Sequence, residues 1–85
     1  MNPKLQQFAR DQLKEGLAKL PPSYQRIFKL MYGRGNPDNL TSLIPTMRTV
    51  EETEAMDVND VVDEIPDNKL NWAMQQVDNS LKKLS

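Results

Sequence analysis

The densest set of side chains able to do chemistry is a run of carboxylates between residues 51 and 67. Closely spaced carboxylates can bind a metal ion, exchange protons with a substrate, or contact a basic partner. An EF-hand loop requires a glycine at its sixth position, and this segment contains none. Two interpretations remain, a solvated helix face and a docking surface formed by Asp60, Asp63 and Glu64. The run comprises Glu51, Glu52, Glu54, Asp57, Asp60, Asp63, Glu64 and Asp67.

The sequence contains neither histidine nor cysteine. It therefore lacks the commonest general base, the commonest zinc ligands and any thiol nucleophile. No phosphate-binding glycine loop and no nucleophile elbow is present. We therefore expect a non-enzymatic protein with no metal and no cofactor.

Charge is distributed unevenly along the chain. Residues 1–48 carry eight Lys and Arg against three Asp and Glu, a net +5, whereas residues 49–85 carry three against nine, a net −6. Either the two halves attract each other within one fold, or the basic half contacts nucleic acid. The second interpretation gives an alternative function, a small nucleic-acid-binding regulator. Its candidate contacts are Lys14, Arg26, Lys29 and Arg34.

Apolar residues recur at intervals of three and four over four segments, which predicts four helices at 3–19, 22–32, 58–64 and 68–83. A chain of 85 residues has room for one domain. We therefore predict an all-α fold, a small bundle of three to four helices. The residues expected to face its core are Leu5, Phe8, Ala9, Leu13, Leu17, Leu20, Tyr24, Ile27, Phe28, Met31, Val58, Val61, Val62, Ile65, Leu70, Ala73, Met74, Val77, Leu81 and Leu84.

Residues 34–56 lack a regular apolar stripe. They begin with the turn-forming stretch RGNPDN, and Pro45 interrupts any helix through the middle. We predict a long, irregular and mobile loop with at most one short turn of helix. Gly33, which precedes it, is expected to adopt a left-handed conformation at the end of the second helix.

Trp72 is predicted to point away from the core stripe of the fourth helix. At 100° per residue it lies about 200° from Leu70, beside Gln76 and Asn79. Tryptophan is enriched among residues that dominate binding energy at protein interfaces. The alternative is that Trp72 folds back onto Ile65 and Pro66 or is covered by residues 34–56.

The stretch LPPSYQRIFKLMYGRG, residues 20–35, resembles the first helix of region 4 of bacterial sigma factors, which precedes a helix-turn-helix. In this chain the following segment contains Pro45, a single arginine and several acids, whereas a recognition helix presents basic and polar side chains to DNA. We therefore interpret residues 22–32 as a scaffold helix that starts after Pro21 and ends at Gly33.

Two longer stretches, LKEGLAKLPPSYQRIFKLMYG and VNDVVDEIPDNKLNWAMQQVDNSLKKL, are similar to small accessory proteins of tailed bacteriophages. The resemblance implies a phage-encoded protein in the bacterial cytoplasm and assigns no role to any residue. Neither a signal peptide nor a membrane span is predicted. We expect a module that binds a host or phage protein through Trp72, Gln76 and Asn79, flanked by the acidic run, or that forms a homodimer through the same face.

Overall fold

The computed structural model describes residues 3–34 and 47–84, and these residues form five α-helices and no β-strand. The prediction of an all-α fold is confirmed, and the four predicted helices match α1, α2, α4 and α5 to within two residues at either end. A short 3₁₀ turn, Asp67–Lys69, leads into the last helix. The helices are α1 (Pro3–Ala18), α2 (Pro22–Tyr32), α3 (Val50–Ala55), α4 (Val58–Glu64) and α5 (Leu70–Leu84).

Helix α3 lies inside the segment predicted to be an irregular loop. It begins with a capping box, in which the amide of Glu52 donates to Oγ1 of Thr49 and the amide of Thr49 donates to Oε1 of Glu52, both at 3.1 Å. At its other end, Nζ of Lys29 donates to the carbonyl oxygens of Glu54 at 2.8 Å and Met56 at 3.1 Å. Residues 50–55 are thus helical, while the predicted loop over 35–46 lies outside the described residues.

The link between α1 and α2 is short, residues 19–21, and ends at Pro21. Pro22 is the first residue of α2, where its missing amide proton costs no helical hydrogen bond. The side-chain amide of Gln25 donates to the carbonyl oxygens of Leu17 at 2.8 Å and Leu20 at 3.1 Å. It thereby adds a donor to the carbonyl oxygen of Leu17, which also accepts from the amide of Leu20, and satisfies the carbonyl oxygen of Leu20 in the link.

Helix α1 packs mainly on α5 and also on α4, whereas α2 packs on α3 and α4. Helices α1 and α5 approach closely at Gly16, where an added Cβ would lie 2.8 Å from Cγ1 of Val77. The glycine therefore lets the α1 and α5 backbones come together. The buried apolar core is formed by Leu13, Leu17, Leu20, Phe28, Tyr32, Val61, Val62, Ile65, Leu70, Ala73 and Val77.

Five residues predicted to face the core are exposed instead, and the prediction was wrong for each of them. On α2, Ile27 is 51% exposed and Met31 is 61% exposed, because α2 packs on α3 and α4 rather than along α5. The first two turns of α1 precede Arg10, the residue at which α1 contacts the end of α4. The remaining three exposed residues are Leu5, Phe8 and Leu84.

Gly33 also departs from expectation, since its φ of −92° and ψ of 0° are right-handed. A glycine is favoured at this position because there is too little space for a side chain. An added Cβ would lie 2.5 Å from the carbonyl oxygen of Lys29 and 3.1 Å from Cγ2 of Thr53. Among the described helices, none combines the length and apolar character needed to cross a membrane.

Candidate functional site

Among the residues that the structure describes, four ion pairs join the basic half of the chain to the acidic half. They are the contacts expected if the two halves attract each other within one fold. We call this set the inter-half ion pairs: Arg10–Asp67 at 2.6 Å, Lys14–Asp63 at 2.8 Å, Arg26–Glu54 at 2.8 Å, and Arg48–Glu64.

Arg10 does more than pair with one carboxylate. Its guanidinium also donates to the carbonyl oxygens of Val62 at 2.7 Å and Ile65 at 2.9 Å. These acceptors lie at the C-terminal end of α4, where a cation also meets the negative end of the helix dipole. Arg10 therefore fastens α1 to the end of α4, and Asp67 completes its set of acceptors.

Arg48 holds together the two chain segments on either side of residues 35–46. Its guanidinium binds both carboxylate oxygens of Glu64 and donates to the carbonyl oxygen of Gly33 at 3.1 Å. Nε of Arg34 donates in turn to the carbonyl oxygen of Arg48 at 3.0 Å. The hydrogen bonds to Glu64 raise the pKa of Arg48 above its ordinary value.

The three candidate docking carboxylates are not equivalent. Asp63 is paired with Lys14, and Glu64 is paired with Arg48, while Asp60 is exposed on the outside of α4. The acidic run also supplies the helix caps Glu52 and Asp57. The structure therefore shows a largely structural use of these acids. Within residues 3–34 and 47–84, no group of three acidic side chains is placed to hold a metal ion.

The four candidate nucleic-acid contacts each already donate to an acceptor of the protein. Lys14 and Arg26 pair with carboxylates, Lys29 donates to two carbonyl oxygens at the end of α3, and Arg34 donates to a carbonyl oxygen. A phosphate would have to replace these acceptors. The contacts therefore give no support to the nucleic-acid hypothesis.

A shallow groove runs between α2 and α5, and we call it the α2–α5 groove. Four aromatic or aliphatic residues with at most 5% exposure, Leu20, Phe28, Tyr32 and Val77, line it. The exposed side chains of Ile27 and Met31 form its α2 rim. Its volume is about 80 Å³, well below the roughly 300–1,000 Å³ typical of small-molecule sites. The groove has the size of one or two side chains, not of a substrate.

Trp72 does not line the groove itself but packs on Tyr32, which does. The indole meets the ring of Tyr32 edge-on, with the centroids 5.2 Å apart and the planes at 89°, and Tyr32 packs in turn on Phe28 at 4.7 Å. Burial raises the pKa of the Tyr32 phenol. Trp72 remains 46% exposed, so it is held in position on one side and open to solvent on the other.

The three α5 residues predicted to bind a partner are Trp72, Gln76 and Asn79, and only part of this set lines the groove. Gln76 lines it, whereas Asn79 is exposed on the same face of α5 as Trp72 but does not line it. The alternative prediction was that residues 34–56 cover Trp72. Most of that segment lies outside the described residues. The ring contact shown by the structure is with Tyr32, which the sequence did not predict.

The sequence interpretation missed Ile27 and Met31 as surface residues, although a signal was present. The apolar arc of α2 spans about 200° at 100° per residue. It runs from Leu30 through Ile27, Met31, Tyr24 and Phe28 to Tyr32. An ordinary core-facing stripe is nearer to 100° wide. The excess width indicates that one edge of the arc extends beyond the core.

No protein-family model, curated protein or solved structure matches this chain.

Proposed function

We propose that this protein is a non-enzymatic protein-binding module whose α2–α5 groove receives an apolar helix of a protein partner. The observation that carries the proposal is the exposure of Ile27, Met31 and Trp72, at 51%, 61% and 46%, around a buried aromatic lining. Large apolar side chains clustered in this way are typical of interaction sites, whereas single exposed ones are not informative.

The geometry of Trp72 suits a binding residue. Because its ring is already packed on Tyr32, binding a partner would immobilise little additional side-chain freedom, and that freedom is a main cost of association. Its exposed side offers apolar surface to a partner. Aromatic residues of this kind contribute most of the binding energy at many interfaces.

The groove favours a helical segment over a small molecule or an extended polar chain. Helices α2 and α5 flank it in opposite directions, since Tyr32 near the end of α2 contacts Trp72 near the start of α5, and Tyr24 and Ser80 line the groove together. Amphipathic helices bind such grooves through residues spaced three and four apart. The volume of the groove matches one or two inserted side chains.

The partner class follows from the resemblance of the two helical ends to accessory proteins of tailed phages. It supports a protein of the phage or its host as the partner and the bacterial cytoplasm as the place of action. The acidic residues Asp63 and Glu64 have a structural role in this proposal, since both are paired within the chain.

Site-specific photocrosslinking tests the proposal. A benzophenone amino acid is placed at Ile27 on the groove rim and, as the control, at Asn59, an exposed residue of α4. We expect a discrete protein adduct from Ile27 and none from Asn59 in bacterial cells producing the protein. The adducted protein is then purified, and its affinity is measured with wild type, Trp72→Ala and Asn59→Ala.

We expect Trp72→Ala to weaken binding by about 30-fold, which corresponds to the ~2 kcal/mol typical of a hot-spot residue. Asn59→Ala should bind like wild type, and helical circular dichroism should be unchanged in both variants. Equal adducts from the two positions, or an affinity insensitive to Trp72→Ala, would contradict the assignment of the groove.

A further inference from the structure

The charges on the two helices that form the α2–α5 groove are almost all positive. Residues 16–34, which include α2, carry four Lys and Arg and no Asp or Glu. Helix α5 has two lysines in its last turn and a single acid, Asp78. Gln76 and Asp78 lie 100° to either side of Val77 on the helix, and Gln76 lines the groove, so Asp78 faces away from it. Among the described residues that line the groove, none is acidic.

Two lysines flank one end of the groove. Leu20, Tyr24 and Ser80 line this end, where α2 begins and α5 approaches its last turn. Lys19 directly precedes Leu20 in the chain, and Lys83 follows Ser80 by three residues, which places it on the same side of α5. Both lysines are exposed. We call this end of the groove the lysine end.

The cations of the lysine end have no carboxylate partner, unlike others in the basic half. Arg26 and Lys29, on the other edge of α2, contact α3. Within residues 3–34 and 47–84, no ion pair involves Lys19 or Lys83. This holds for Lys19 even though Glu15 lies one turn before it in the chain. A carboxylate that approached the lysine end would therefore meet two ammonium groups without displacing an acid of the protein.

We infer that the helix received by the α2–α5 groove is an acidic amphipathic helix, whose carboxylates lie at the lysine end beside Lys19 and Lys83. The inference rests on the proposed function and names the chemistry of its partner. Complementary charge at an exposed rim mainly determines specificity and the association rate. The apolar contacts with Ile27, Met31 and Trp72 supply most of the affinity.

The fluorescence of Trp72 gives a direct measurement, because Trp72 is the only tryptophan of the chain and is 46% exposed. Two designed helical peptides without tryptophan are the probes. Both have the same leucine stripe at intervals of three and four residues, and one carries glutamates at one end of the stripe where the other carries lysines. We expect binding to shift the emission of Trp72 to shorter wavelength. The acidic peptide should bind several-fold more tightly at low salt, and added salt should reduce this preference.

Charge reversal on α5 tests whether the preference arises at the lysine end. Lys82→Glu is the matched control for Lys83→Glu, because it changes the net charge equally. Lys82 lies two residues after Ser80 and therefore on the opposite side of the helix from the groove. We expect Lys83→Glu to bind the basic peptide more tightly than the acidic one, and Lys82→Glu to keep the preference of wild type. Circular dichroism establishes that both variants are as helical as wild type.

Equal affinity of wild type for the two peptides would overturn the inference, and so would equal effects of Lys82→Glu and Lys83→Glu. In either case a shift of the Trp72 emission with both peptides would still support the proposed function. An absence of any shift also overturns the inference, and a specific adduct from the Ile27 photocrosslinker would then support the proposed function alone. A shift that follows protein concentration without peptide would assign the groove to a second copy of the chain and exclude the acidic partner helix.

Discussion

The two edges of α2 differ in whether another helix covers them. On one edge, Arg26 pairs with Glu54 and Lys29 donates to carbonyl oxygens at the end of α3. On the other edge, Ile27 and Met31 stand beside α5 without being buried by it. The polar edge is thus covered by a neighbouring helix, and the apolar edge is open to solvent.

The paired and the exposed residues are the reverse of what the sequence led us to expect. The one-signed acidic run suggested a docking surface, yet most of its members pair with cations or cap helices. The apolar stripe of α2 suggested core, yet its edge is exposed. Long charged side chains find intramolecular partners across a gap, whereas an aliphatic side chain is buried only if another element lies directly against it.

Substitutions within the groove should give the largest difference in the free energy of unfolding, between a buried residue of the lining and an exposed residue of the rim. Phe28, 5% exposed, lies in the lining of the groove, and Met31, 61% exposed, lies on its rim. We expect Phe28→Ala to lower the free energy of unfolding by about 3–5 kcal/mol and Met31→Ala to change it by about 0.5 kcal/mol or less. Urea denaturation followed by circular dichroism measures both.

The two variants control for each other, because both residues lie on α2 and both lose a large apolar side chain. An unchanged dependence on urea concentration would show that the amount of surface exposed on unfolding is the same. A loss for Met31→Ala comparable to that for Phe28→Ala would mean that the rim is buried, and the binding assignment of this edge would fail.

The inter-half ion pairs should give the next largest effect, and they should differ among themselves. The side chains of Arg48 and Glu64 are 15% and 33% exposed, whereas those of Arg26 and Glu54 are 58% and 39% exposed. A double-mutant cycle with Arg48→Met and Glu64→Gln should give a coupling energy of about 1–3 kcal/mol. The matching cycle at Arg26 and Glu54 should give about 0.5 kcal/mol or less.

Equal coupling in the two cycles would show that Arg48 contributes no more than a surface pair. In that case the hydrogen bonds of Arg48 to Gly33 and to both carboxylate oxygens of Glu64 would not especially stabilise the contact between the residues on either side of 35–46. Added salt gives a further check, because the more exposed pair at Arg26 should weaken more steeply with ionic strength.

Local sequence signals identified four helices correctly because residues that start or end a helix mark their boundaries. Pro22 starts α2, and Asp57 accepts a hydrogen bond from the amide of Asn59 at the start of α4. Helix α3 was missed because six residues are too few for a visible apolar stripe, although Thr49 and Glu52 form the T-x-x-E pattern of a capping box.

The candidate site was only partly predictable for a reason of packing. The helical angle of Trp72 was enough to place it off the core, and the structure leaves it 46% exposed. Whether α5 would cover α2 depended on the close approach of α1 at Gly16, which sets α5 against α1. A contact between Gly16 and Val77, so far apart in the chain, leaves no mark in the periodicity of either helix.

The smallest expected effect concerns the start of α3, the helix that covers the polar edge of α2. The hydrogen bond from the Thr49 backbone amide, together with the Thr49 hydroxyl and the charge of Arg48, holds the pKa of Glu52 below its ordinary value. The folded state therefore favours the ionised form. Its contribution to stability is present above the unfolded pKa of about 4.3 and is lost as the pH falls through the lower folded pKa.

Glu52→Gln isolates this contribution, because glutamine keeps an acceptor at the same position of the capping box but does not titrate. We expect wild type to be slightly more stable than Glu52→Gln at pH 7 and the difference to shrink as the pH is lowered to 3, measured by urea denaturation at both pH values. Glu51→Gln, one residue earlier and outside the capping box, is the matched control for the loss of one carboxylate on α3. If the two variants respond alike, the acids of α3 act only through their general charge, and the polar edge is closed by the Arg26 and Lys29 contacts rather than by the cap.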